Sequence, residues 1–124
     1  KPIYAAGNGK IIAADTGEAA YGNWVAIKHS VDTKQGKRDI IGLYAHMRTF
    51  KVKVGDTVSQ GDLIGYEGNT GNTTRLLYGP ERGYHLHFTI FDTEGFGVSQ
   101  GKSVRVYGPY TVPYGYTYNP LDFF

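Results

Sequence analysis

Nowhere in this chain do apolar residues recur at helical spacing for more than two turns. What recurs instead is a short run of β-branched or aromatic residues closed by Gly, Asn, Asp or Pro. Eighteen Gly, eleven Tyr and six Phe among 124 residues suit strands joined by tight turns. The expected fold is therefore all-β: a mostly antiparallel sheet, folded as a half-barrel or sandwich over a groove. No linker, internal repeat or low-complexity stretch divides it, so residues 1–124 read as one domain with one modest core.

The runs can be placed. Ile3 to Ala5 and Lys10 to Ala14 flank Gly7-Asn8-Gly9, a spacing that predicts a hairpin, because Asn-Gly supplies the positive φ of tight turns. Gly22 to His29 predicts a strand with Trp24, Ala26 and Lys28 on one face and Val25, Ile27 and His29 on the other. Ser30 to Arg38 reads as a polar loop, and Asp39 to His46 as the next strand. Two Gly-Asp pairs punctuate Lys51 to Gly65. A long Gly/Asn/Thr loop follows, Gly68 to Gly83, and then a strand from Tyr84 to Phe91. The Gly-, Pro- and Tyr-rich remainder predicts one more hairpin.

Charge and cysteine content exclude several functions. The net charge is +2 with scattered basic residues, so no nucleic-acid tract is present. No cysteine occurs, which removes disulfides, thiolate metal sites and a cysteine nucleophile. No apolar stretch approaches the ~20 residues that cross a bilayer, and Lys1 to Gly9 lacks the apolar run of a signal peptide.

The chemistry lies in the histidines. On a strand, His85 and His87 share one face with Cα atoms ~6.5–7 Å apart. Two imidazoles so placed can serve one metal, or one can bind metal while the other moves a proton. An exposed pair on a polar sheet face fits the same spacing. His46 closes an apolar strand, a position that a satisfied rim residue also occupies. His29 reads as structural.

Several segments, in order, resemble the lysostaphin-like metallopeptidases, peptidase family M23. Tyr4-Ala-Ala-Gly-Asn-Gly9-Lys-Ile-Ile is similar to the opening strand of that family, and Leu43-Tyr-Ala-His46-Met to its Tyr-x-His-Leu segment. Val54-Gly-Asp-Thr-Val-Ser-Gln-Gly61-Asp-Leu-Ile-Gly65 resembles its Val-Gly-Asp-x-Val-x-x-Gly-x-x-Ile-Gly turn. Gly68-Asn-Thr-Gly71 resembles Gly-x-Thr-Gly, Gly83-Tyr-His85-Leu-His87-Phe88 the Gly-x-His-Leu-His-Phe signature, and Asn119-Pro-Leu-Asp-Phe123 the domain end.

The resemblance implies a duplicated-hybrid-motif sheet and a zinc endopeptidase that cuts peptide cross-links of bacterial peptidoglycan outside the cytoplasm. It implies that His87 binds Zn²⁺. His85 would be the general base or orient the attacking water. His46 would stabilise the tetrahedral intermediate or share the proton work. A zinc ion lowers the pKa of its water to about 7 and polarises the scissile carbonyl.

One departure stands out. The family draws its other two zinc ligands from a His-x-x-x-Asp segment upstream of the opening strand, and no His here has that spacing: Thr33 stands four residues after His29. The expectation is an N-terminally incomplete domain, weak in zinc binding and hydrolysis, with the missing ligands lost upstream or supplied by another chain. The alternative on the same fold is a non-catalytic wall-binding or amidase-activating module. A biotinyl, lipoyl or phosphocarrier domain also shares the Val-Gly-Asp turn, but no lipoyl-type Lys is present. Two accessory features are the loop Gly71 to Gly83, with Arg75, Leu76, Leu77, Tyr78 and Arg82, and the tyrosines at 107, 110, 114, 116 and 118. The loop could set specificity or be plain surface. The tyrosines could stack on sugars or pack a sheet edge.

Overall fold

The computed structural model describes residues 1–17, 21–34, 36–68, 70, 87–102 and 109–118. Every regular element among them is a strand. In chain order these are β1 (Pro2–Tyr4), β2 (Gly9–Asp15), β3 (Asn23–Thr33), β4 (Gly36–Phe50), β5 (Thr57–Val58), β6 (Leu63–Glu67), β7 (His87–Asp92), β8 (Gly97–Lys102), β9 (Pro109–Tyr114) and β10 (Thr117–Tyr118). All pairings are antiparallel, and the sheet curls into a half-barrel, as its composition predicts.

The spine is β4, which runs for 15 residues. One of its edges pairs with β3 along nearly its whole length. The other edge is shared: Ile40 to Ala45 pair with β7, and Met47 to Phe50 pair with β6. The sheet thus forks at residue 46. β1 extends the β6 branch and β10 the β7 branch; β2 and β5 continue beyond β3. A separate two-stranded sheet, β8–β9, is the hairpin expected in the C-terminal third.

Both faces of β3 and β4 are covered, so most of their apolar residues alternate between two cores, while Val31 and Ile40 join Ile90 in a smaller third cluster. Val25, Ile27, Tyr44 and Met47 join Ile3, Ile11, Val58 and Ile64 in one. Trp24, Ala26, Ile41, Leu43, Ala45 and Phe91 form the other. The division of β3 into a Trp24/Ala26 face and a Val25/Ile27 face follows the sequence reading. Full burial of each large apolar side chain contributes roughly 1.5–3 kcal/mol.

Three local expectations are corrected. No hairpin joins β1 to β2: β1 pairs with β6, and β2 with β3 and β5. The Gly7–Gly9 segment instead crosses between them, held by Gln60 N–H on Asn8 Oδ1 and by Ser30 N–H on the Asn8 carbonyl. Long-range partners therefore override the local Asn-Gly turn signal. The polar segment Ser30 to Arg38 is not a loop. It is the tip of a long β3–β4 ladder that pairs as far as Thr33 and Gly36, with Ser30, Asp32, Lys34 and Lys37 exposed and Val31 buried. Nor does a strand end at His46; β4 continues to Phe50.

The Gly-Asp punctuation behaves as read, and its chemistry repeats. Asp56 N–H donates to the Lys53 carbonyl while Asp56 Oδ2 accepts the Lys53 amide. Asp62 does the same with Ser59. The glycine before each Asp has positive φ, 99° at Gly55 and 88° at Gly61, which an L side chain rarely tolerates.

Candidate active site

His46 sits where β4 changes partner. It is the one non-glycine residue with positive φ among those described, at 56°. Across it, Asn23 pairs with Met47 but Val25 pairs with Tyr44, so three steps on β4 face two on β3. This is a β-bulge. The extra residue inverts the strand's phase: Tyr44 and Met47, three apart, lie in the same core. A left-handed backbone costs a non-glycine residue about 1–2 kcal/mol. Two hydrogen bonds, each worth about 1 kcal/mol net, offset it. They run from His46 N–H to the Tyr21 carbonyl (2.8 Å) and between His46 Nδ1 and the Thr70 carbonyl (2.6 Å).

The second bond determines the imidazole's chemistry. A carbonyl oxygen only accepts, so Nδ1 carries the proton of the neutral ring and Nε2 the lone pair. His46 is 6% exposed, and its ring centroid lies 6.1 Å from that of Tyr21. In this tautomer neutral His46 can take a proton at Nε2. It can donate from Nε2 to an oxyanion only after it has done so.

His87 opens β7 in register with Ala45, so its backbone lies beside the His46 bulge. The topology thus brings together two of the three histidines read as functional. His85, the loop Gly71 to Gly83 and the Asn119 to Phe123 segment lie outside the described residues. Among the tyrosines, Tyr114 and Tyr116 are exposed, while Tyr118 donates to Asp92 Oδ2 at 2.6 Å.

His29 is structural, as read. It is 1% exposed, its Nδ1 donates to the Gly7 carbonyl (2.8 Å), and its Nε2 accepts from the Tyr44 hydroxyl (2.9 Å). Burial pushes its pKa below 6.5, against the raising effect of the Asn8 and Gly7 carbonyls. With both ring nitrogens used, it has no place in metal binding. Two surface depressions, of about 440 and 330 Å³, meet at Asn8 and Ser30, and neither is lined by His46.

Sequence reasoning passed over Tyr21, Asn23 and Thr70. Thr70 belongs to the Gly68-Asn-Thr-Gly71 segment, which was the available signal. Gly68 allows its approach: a Cβ there would lie 2.5 Å from the Arg48 amide nitrogen.

A family model described as peptidase family M23 matches residues 1–105. The chain belongs to that family. It is 33% identical to the peptidoglycan DD-endopeptidase ShyA of Vibrio cholerae over 89 residues, which are 72% of this chain and 17% of that protein. Among solved structures, a zinc-containing peptidase of Vibrio cholerae aligns with TM-score 0.55 at 29% identity, covering 72% of this chain and 22% of that one. The antimicrobial peptidase lysostaphin of Staphylococcus simulans aligns with TM-score 0.58 at 29% identity, covering 76% and 33%. This M23 chain spans 20%, 28% and 17% of the curated relatives it first matches.

The family's metal chemistry sets a test for these residues. A catalytic zinc normally takes three protein ligands and water. Among the described residues no three His, Cys, Asp or Glu side chains come together.

Proposed function

We propose that this chain is the His46/His-x-His part of a zinc-dependent endopeptidase that cleaves peptide cross-links of bacterial peptidoglycan. The observation that carries the proposal is His46: a buried histidine, held in a strained backbone at a sheet fork, with its tautomer fixed and the backbone of His87 alongside. Strain of this kind persists where the surroundings over-determine it, and it clusters at functional sites. M23 membership and the peptidoglycan endopeptidase among the relatives support the substrate class. Peptidoglycan lies outside the cytoplasmic membrane, so the site of action is extracytoplasmic.

In this reading His87 contributes one zinc ligand, and the remaining ligands come from an upstream segment or another chain. His46 Nε2 takes a proton in the addition step, alone or with His85. The resulting imidazolium is stabilised by the Thr70 carbonyl on Nδ1–H and can donate to the oxyanion or the leaving amine.

A second reading on the same fold is a non-catalytic wall-binding or amidase-activating module. One experiment separates the two. Zinc stoichiometry and cleavage of purified peptidoglycan are measured for the 124-residue chain and for a longer form carrying its native upstream residues. One zinc per longer chain with cleavage, both lost in His87→Ala, supports the peptidase. Neither zinc nor cleavage in either form leaves the binding module.

A further inference from the structure

The bulge at His46 leaves a gap in the β3–β4 ladder, and Thr70 fills it. Asn23 and Met47 are register partners there. The Asn23 amide donates to Thr70 Oγ1 (3.0 Å), and Thr70 Oγ1 donates to the Met47 carbonyl (2.7 Å). One hydroxyl thus stands where a direct strand-to-strand bond would run, using its acceptor and donor capacity together. Its own carbonyl then meets His46 Nδ1 at 2.6 Å. Asn23 braces the same corner, with Nδ2 on the Arg48 carbonyl at 3.0 Å.

From this we infer that Thr70 is the positioning residue for His46. Its hydroxyl replaces the missing ladder bond and so docks the Thr70 backbone against the bulge. Its carbonyl holds the ring in the Nδ1–H tautomer, with the lone pair on Nε2. The chain of cause runs from a side-chain hydroxyl, through a backbone position, to a protonation pattern on another residue. The functional meaning of that pattern rests on the peptidase reading; the pattern itself does not.

The test is therefore made on the ring. Imidazole nitrogen NMR on the ¹⁵N-labelled 124-residue chain, with His46→Gln to assign the signals, reads the tautomer above the ring's titration. The wild type is expected to show Nδ1–H at His46. Thr70→Val keeps the side-chain shape but removes both hydroxyl bonds, and the Nδ1–H preference should be lost. Thr70→Ser restores the hydroxyl and should restore the preference. A wild-type ring protonated on Nε2 overturns the inference without any variant. So does a folded Thr70→Val chain with an unchanged tautomer. Should Thr70→Val not fold, Thr70→Ala is read in the same way, and the wild-type spectrum still decides.

In the longer, zinc-loaded form, Thr70→Val should lower kcat with little change in KM, within the ~10²–10⁴-fold supplied by a positioned proton-transfer group. Thr70→Ser should recover it. Normal tautomer behaviour in a chain that cuts nothing would sink the peptidase reading and leave the positioning intact.

Discussion

The Tyr44 hydroxyl is shared between the Ala6 amide, from which it accepts at 2.9 Å, and His29 Nε2, to which it donates at 2.9 Å. With His29 Nδ1–H on the Gly7 carbonyl, this ties the β1–β2 crossover to the middle of the sheet across a separation of 38 positions in sequence. Burial raises the Tyr44 pKa to about 12, so the hydroxyl keeps its proton at all ordinary pH. Tyr44→Phe would strip a partner from the Ala6 amide and from His29 Nε2 together. The expected loss is about 1–3 kcal/mol of stability, read as a lower urea midpoint at unchanged m. An unchanged midpoint would mean that water replaces the hydroxyl at no cost.

His29 also sets a pH dependence. Its folded pKa is depressed, so below 6.5 the unfolded chain binds a proton that the native chain resists. Stability from this group is complete above 6.5 and falls as pH drops below it, with a slope of at most about 1.4 kcal/mol per pH unit. Denaturant midpoints from pH 8 to pH 5 should show the decline, and His29→Gln should flatten it. An equally steep decline in the variant would assign the effect elsewhere.

At the fork, stability and activity should separate. Asn tolerates the left-handed backbone and its amide can reach a nearby carbonyl. His46→Asn is therefore expected to melt within a few degrees of wild type while peptidoglycan cleavage by the longer form falls ~10²–10⁴-fold. Retained cleavage would remove His46 from the proton work.

Asp92 and Tyr118 fasten β10 to β7. The Tyr118 hydroxyl bond is the leading cause holding the Asp92 carboxyl below its ordinary pKa, with the Glu94 amide and Arg38 adding to it. Tyr118→Phe should raise the Asp92 pKa toward 3.8 in an NMR titration. No movement would mean that the Glu94 amide and Arg38 suffice.

Gly68→Ala should destabilise the chain and loosen Thr70, because its Cβ would meet backbone, the Arg48 nitrogen at 2.5 Å and Cα at 2.7 Å. The His46 ring signals report the loosening. An unperturbed ring spectrum would show that Thr70 keeps its hold despite the added Cβ.

Much of this was legible in the residues, and what was not had a physical reason. The alternation of Trp24, Val25, Ala26 and Ile27 announces a strand buried on both sides, and Gly55-Asp56 and Gly61-Asp62 announce turns, because each signal is local. The Gly7–Gly9 crossover was misread because its real partners, Gln60 and Ser30, are distant in sequence. The ribbon at Ser30 to Arg38 was hidden because solvated strands carry the composition of loops. His46 was singled out by its neighbours, but its bulge was not: the phase slip appears only when Tyr44 and Met47 are found on one side. Thr70 stayed unnoticed because its contribution to the histidine is a backbone carbonyl, which any residue type possesses.

The slip at residue 46 ties two properties that usually vary apart. Moving Met47 back to its in-phase face would require removing the left-handed corner, and with it the packing of the whole β4–β6 branch. The corner is therefore needed by the fold even where the chemistry is not. A descendant of this protein that gave up cutting would be free to discard the imidazole but not the turn beneath it. It should carry glycine, asparagine or aspartate there, leaving the scar of an abandoned active site legible in a single residue.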